Sequence, residues 1–222
     1  MISFSNVRTE WFGPVTFDAV AGAPVKIVAP SRDASDAFVR VAAGLARPDS
    51  GQVKLLGEDI YAVTEEEYVH LMKDVGLVTQ SGGMISNLQT YENVALPALY
   101  HGKKTIEELE TFTSHVLAGL GIPMDLGETM MRTRPHLLKP YQEKILRIIR
   151  AHAMEPVLMI YGELTDQLPD DIGKYVIQLA MEFHRQSKER VSMFVTCDES
   201  TLKSIPTAGA IFLDASRQET RE

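Results

Sequence analysis

Cysteine is nearly absent: Cys197 is the only one in 222 residues. An internal disulfide is thereby excluded, and with it the stapled frameworks of small secreted domains. A lone cysteine also gives no Cys/His cluster, so no metal centre of that kind is expected. Basic residues are in deficit, with 22 Lys+Arg against 30 Asp+Glu and a formal net charge of −8. A nucleic-acid partner demands the opposite balance, so none is expected. Long apolar runs are missing as well. None approaches the ~20 residues that cross a bilayer. The opening MISFSNVRTEW lacks the charged and apolar regions of a secretory leader, so a cytoplasmic location is expected. Repeats, low-complexity stretches and linkers do not stand out. What remains is an ordinary globular balance of 45% apolar and 23% charged residues, long enough for a full core and a subdomain at about 150 residues per domain.

Short apolar runs alternate with amphipathic stretches, the pattern of an α/β layer structure. Strands are expected at 2–7, 25–28, 52–56, 75–79, 157–161, 191–196 and 210–213. The runs at 75–79, 157–161 and 191–196 are almost wholly apolar, as strands buried on both faces of a parallel sheet are. Thr64 with Glu67, and Thr105 with Glu108, fit capping boxes at helix starts. After Thr105 the residues Ile106, Leu109, Val116, Leu117 and Leu120 keep nearly helical spacing. Pro140 and Pro169 suit the first position of helices running to about 153 and over 170–185. In the second of these, Ile172, Tyr175, Val176, Leu179 and Phe183 share a face. Segment 85–150 holds at least two helices and no convincing strand, and it reads as a helical insertion.

Segment 25–45, VKIVAPSRDASDAFVRVAAGL, is a strand, a turn and a helix, which is the setting of a phosphate-binding loop. Such a loop needs glycines for close backbone approach, a lysine for phosphate oxygens and a Ser/Thr for Mg²⁺. This one has neither glycine nor lysine before the helix, and by pattern alone it fails.

Its surroundings restore the assignment. RVAAGLARPDSGQVKLLGEDI (40–60) closely resembles the segment after the Walker A motif of ABC-transporter ATPases. VGLVTQ (75–80) resembles the strand ending in the Q-loop glutamine, and LQTYENVALPALYHGKK (88–104) is similar to the segment that follows it in importers and lipid-handling members. The run 134–170 resembles the signature-to-D-loop stretch, and FVTCDES (194–200) resembles the switch segment. Five weak motifs in order make one strong resemblance over nearly the whole chain. It implies a P-loop NTPase fold of the ABC type: a mostly parallel α/β core (1–84 and 155–222), an antiparallel β subdomain and a helical subdomain at about 85–154, all in one domain spanning 1–222.

The resemblance also assigns positions. The degenerate Walker A loop comprises Ala29, Pro30, Ser31, Arg32, Asp33, Ala34, Ser35, Asp36 and Ala37. The family's glycines fall on Ala29, Arg32 and Ala34, its lysine on Ser35 and its magnesium-binding hydroxyl on Asp36. The signature falls on Leu138, Lys139, Pro140, Tyr141 and Gln142. Its serine and both glycines are gone; Pro140 has no N–H to donate, and Tyr141 fills space that glycine leaves open. The Walker B aspartate falls on Gly162, so no metal ligand is expected there. The general base falls on Glu163, the D-loop aspartate on Pro169, the Q-loop glutamine on Gln80 and the switch histidine on Cys197. The adenine-stacking aromatic is Trp11 or Phe12.

Each residue also has a plainer reading. Arg32 either reaches a phosphate or pairs with Asp33 or Asp36. Glu163 is a base, or a carboxylate capping a helix or meeting a cation. Gln80 is a nucleotide sensor, a hinge or a strand end. Cys197 reads as a buried small residue. Arg132, Arg134, Lys139, Lys144, Arg147 and Arg150 read as a solvated face.

ATP and Mg²⁺ are the cofactors the resemblance implies, and the replaced residues set its expected function. Asp33 and Asp36 put negative charge where a phosphate would lie, with no lysine beside them. A pseudo-ATPase is expected: a structural or regulatory ABC subunit, docked to a membrane permease at the inner face of the cell membrane and forming homo- or heterodimers of ABC subunits. The alternative is a divergent but active subunit energising lipid or small-molecule transport, with Arg32 in place of the lysine.

Overall fold

Period-two burial in the N-terminal third and continuous burial in the central strands separate two kinds of sheet. The computed structural model describes residues 2–79, 83–203, 205, 206 and 209–216. Its strands are β1 (Ile2–Arg8), β2 (Val15–Ala19), β3 (Pro24–Val28), β4 (Ser50–Leu55), β5 (Glu58–Asp59), β6 (Val75–Val78), β7 (Leu158–Gly162), β8 (Val191–Thr196) and β9 (Ala210–Phe212). Its helices are α1 (Arg32–Ala42), α2 (Glu65–Met72), α3 (Thr90–Tyr100), α4 (Ile106–Gly119), α5 (Met124–Arg132), α6 (Pro140–Ala153) and α7 (Asp170–Arg185).

An antiparallel sheet runs β2-β1-β4-β5, and a parallel sheet runs β6-β7-β8-β3-β9. Helix α1 is packed into one apolar cluster with residues of both sheets. Phe38 of α1 stacks on Phe4, whose ring also stacks on Phe17, with centroids 5.0 and 4.8 Å apart. Ile27, Ile160, Met193 and Val195 of the parallel sheet complete that cluster. β7 and β8 are buried along their whole length, as their unbroken apolar runs require. Strands β2 and β5 escape the sequence reading because β2 carries Thr16 and Asp18 on its outer positions and β5 has two residues.

Helices α3 to α6 occupy 90–153 and form their own core around Val94, Val116, Leu117, Met130, Ile145, Leu146 and Ile149. Both threonine capping boxes form, at Thr64 with Glu67 and at Thr105 with Glu108. Pro140 opens α6 at its first position. Pro169 is instead the residue before α7, not its first member. Ile106 is also not buried: it is the first residue of α4 and is 47% exposed.

Candidate functional site

In a parallel sheet, the loops after neighbouring strands meet at the carboxyl edge. Here β7, β8 and β3 are neighbours, so the turns beginning at Ala29, Glu163 and Cys197 converge. Arg32, Glu163, Asp166, Thr196, Cys197 and Asp198 help line one cleft of about 490 Å³. Thus the structure brings the loop, the general-base position and the switch position together. The signature residues Leu138–Gln142 do not line this cleft. Gln80 lies outside the described residues.

The loop after β3 is short. Pro30 and Ser31 precede a helix that begins at Arg32. Ser31 caps it: its hydroxyl accepts from the N–H of Ala34 at 3.1 Å, and its carbonyl accepts from the N–H of Ser35 at 3.0 Å. The amides of Ala34, at the motif's last glycine position, and of Ser35, at the lysine position, therefore serve the helix. Ala29 is buried and its N–H bonds the carbonyl of Thr196. Ser35 is 1% exposed, and its hydroxyl finds no hydrogen-bond partner among the described residues. Asp33, Asp36 and Ala37 face a second cleft of about 300 Å³, shared with Trp11. Phe12 is buried against Phe38 and belongs to the core, which leaves Trp11 as the aromatic beside the loop.

Arg32 pairs with neither Asp33 nor Asp36. Its guanidinium makes a two-point fork with Asp166, Nη1 to Oδ2 at 2.8 Å and Nη2 to Oδ1 at 2.7 Å. The Asp166 carboxylate, by hydrogen bond and charge, raises the arginine above its ordinary value. Asp166 lies 134 residues away in the chain, so spacing gave no warning. The available signal was topological: an acid just past one strand end, an arginine just past another.

Glu163 sits in the left-handed region at φ 47° and is buried. Thr196 Oγ1 donates to its Oε2 and the Cys197 N–H donates to its Oε1, both at 2.9 Å. Lys144 reaches the Glu163 carbonyl as well as the Asp166 carbonyl, the latter at 3.0 Å. The carboxylate ties the turn after β7 to the end of β8, and its charge favours the cations of Arg32 and Lys144. Cys197 is half-buried, not buried, because it has just left β8. Partial burial and the charge of Glu163 raise its thiol above the ordinary range.

Gly162 is hemmed in: a Cβ there would lie 3.1 Å from Val39 Cγ2 and 3.4 Å from the Val78 carbonyl. The space between Ser35, Asp36, Val39, Gly162 and Glu163 is too small to hold a water molecule. A magnesium nucleotide does not fit these residues. The carboxylate position holds a glycine whose surroundings are tight even for a methyl, the lysine position carries a buried hydroxyl, and the loop's sole cation is taken by Asp166.

At the signature position, Gln142 is buried and its Oε1 accepts from the Lys139 N–H at 2.9 Å, capping α6. Leu138 and Tyr141 pack into the helical core. The expected solvated basic face is only partly one. Arg132, Arg134 and Lys139 are exposed. Lys144 and Arg147 are buried, and Arg150 is half-buried. Spaced three apart on α6, these three donate to the carbonyls of Glu163 and Asp166, Thr79, and Gly83. Burial lowers Lys144 to about 8.

The two sheets, the helix packed between them and the helical layer define an ATP-binding-cassette fold. A bacterial ABC transporter cassette solved as a dimer, MJ0796, superposes with a TM-score of 0.81 at 22% identity, covering 98% of this chain and 97% of that one. No protein-family model matches. An uncharacterised ABC transporter ATP-binding protein of Thermotoga maritima is 27% identical over 188 residues, which is 84% of this chain and 77% of the relative. The macrolide export ATP-binding/permease protein MacB of Bradyrhizobium diazoefficiens is 28% identical over 199 residues, which is 89% of this chain but only 29% of that longer protein. In sequence the chain is similar to ATP-binding proteins of ABC transporters, and its fold is that of their cassettes.

Proposed function

We propose that this chain is a pseudo-ATPase: an ABC-type subunit with a structural or regulatory duty, docked to a membrane permease and paired with a second cassette. The Arg32–Asp166 fork carries the reading. An active divergent site would need Arg32 for phosphate, and its guanidinium is already held by a carboxylate at two points. The occupied cap at Ser31, the closed space at Gly162 and the doubly hydrogen-bonded Glu163 point the same way. Each Glu163 oxygen accepts a hydrogen bond from the end of β8, which holds the carboxylate in a structural tie.

Docking is supported by the helical layer. A cleft of about 650 Å³ opens between α3, α4 and α5, floored by Val94, Leu109, Leu117 and Met131. By family resemblance this region receives a helix of the membrane subunit. Among the described residues no helix is long and apolar enough to cross a membrane itself, so attachment at the inner face of the cell membrane would run through that partner. Pairing with a second cassette would follow the dimeric MJ0796 structure.

Calorimetric titration with ATP and Mg²⁺, run beside a phosphate-release assay, tests the ATPase half. Negligible binding and no turnover are expected. Micromolar binding with turnover abolished by Glu163→Gln would overturn it.

A further inference from the structure

The 29–37 segment retains one cation, Arg32, and that cation is gripped by a carboxylate of the same chain. The grip has the geometry with which a guanidinium takes a phosphate: two parallel N–H···O contacts, here 2.8 and 2.7 Å. Asp166 is held at its post from behind. Its own carbonyl and that of Glu163 accept from the buried Lys144 amine, and the Glu163 side chain fastens the start of the turn to Thr196 and Cys197. The carboxylate is therefore a tethered anion in a fixed place. The arginine side chain is 53% exposed against 16% for Asp166, so a ligand can reach the guanidinium without any element unfolding.

We propose that Asp166 is an internal stand-in for phosphate, an autoinhibitory carboxylate that masks a latent polyphosphate-binding site at Arg32. This rests on reading 29–37 as a phosphate loop. Opening the fork exchanges one two-point anion contact for another, with Asp33 and Asp36 of α1 and Asp170 and Asp198 of the cleft opposing the incoming charge and Lys174 favouring it. The wild-type chain accordingly keeps polyphosphate out, and removing the Asp166 charge readmits it.

The probe is inorganic tripolyphosphate without magnesium, titrated at low salt by calorimetry. Asp166→Asn keeps the side-chain shape and removes the competing charge; affinity is expected to rise about tenfold over wild type. Asp170→Asn removes a charge from the same cleft without touching the fork and is expected to raise affinity far less than Asp166→Asn does. Adding Arg32→Ala to Asp166→Asn is expected to abolish the gain. The proposal is overturned if Asp166→Asn binds no tighter than wild type, if Asp170→Asn gains as much, or if the double variant keeps the gain. Should Asp166→Asn fail to fold, Asp166→Ser makes the same comparison. ATP in a parallel titration is expected to gain equally, since the phosphates carry the contact; a gain with ATP alone overturns the proposal. ATP turnover by wild type would sink the pseudo-ATPase reading and leave these affinity ratios to decide the mask separately.

Discussion

Glu163→Ala separates a carboxylate that performs chemistry from one that holds the fold. In the structure both of its oxygens accept hydrogen bonds at 2.9 Å, from the Thr196 hydroxyl and from the Cys197 N–H, and the residue is only 6% exposed. Truncation to alanine strands the Cys197 amide at the site boundary. The Thr196 hydroxyl can rotate, and it already accepts from the Asp198 N–H at 3.1 Å. One orphaned donor costs about 1–3 kcal/mol, and losing contacts made to an ionised acceptor places the sum near 3 kcal/mol. For a domain of this size that is a fall in Tm of roughly 6–12 °C. Glu163→Gln is different. Its amide oxygen still accepts from Cys197, and its amide nitrogen can donate to a turned Thr196 hydroxyl, so the cost should stay below about 1 kcal/mol. Thermal and urea unfolding followed by circular dichroism read the stabilities, with phosphate release measured on the same preparations. The expected order is wild type, then Gln close behind, then Ala well below, with no turnover in any of them. The reasoning is refuted if the alanine variant melts with wild type while glutamine abolishes a measurable ATPase.

Two further perturbations follow from buried groups. His152 is 1% exposed, its Nε2 lies 2.7 Å from the Tyr161 hydroxyl, its ring stacks on Phe183, and burial with nearby Arg190 lowers it from 6.5 to about 3. The folded state holds it neutral, so its stabilising effect is full above pH 6.5 and is lost as pH falls toward 3. Between pH 7 and pH 5 the loss should be about 2 kcal/mol in urea unfolding, and His152→Gln should flatten that slope; an unchanged slope refutes the assignment. Gly162→Ala places a methyl 3.1 Å from Val39 Cγ2 and should cost about 1–2 kcal/mol. Adding Val39→Ala should recover part of it, and additive losses in the double variant would show that crowding is not the cause.

Much of the fold can be read from short-range rules. Thr64 and Thr105 name their helix starts because the reciprocal bonds of a capping box close within four residues. The runs 157–161 and 191–196 announce buried parallel strands because a strand covered on both faces has no polar side to display. Ile106, 47% exposed, escapes such rules, since helical spacing says which residues share a face and not which of them the rest of the fold covers. Lys144 and Arg147 escape them for a related reason. Their charges suggest solvent, and only the packing of α6 against two loops supplies the carbonyls that take their hydrogens.

By itself the sequence determined the family resemblance, the order of the motifs and which residue types stand at each of them, because these are properties of the chain read in one dimension. Tertiary structure decided what those residues touch. That Arg32 meets Asp166 and not its helical neighbours, and that Glu163 faces Thr196 and Cys197, depend on β7, β8 and β3 lying side by side. The lone cysteine shows the same division. Its scarcity excluded disulfides at once, while its half-buried place at the end of β8 came only from the fold. Contacts across more than a hundred residues are set by which strand ends meet at a sheet edge, and no local spacing encodes that.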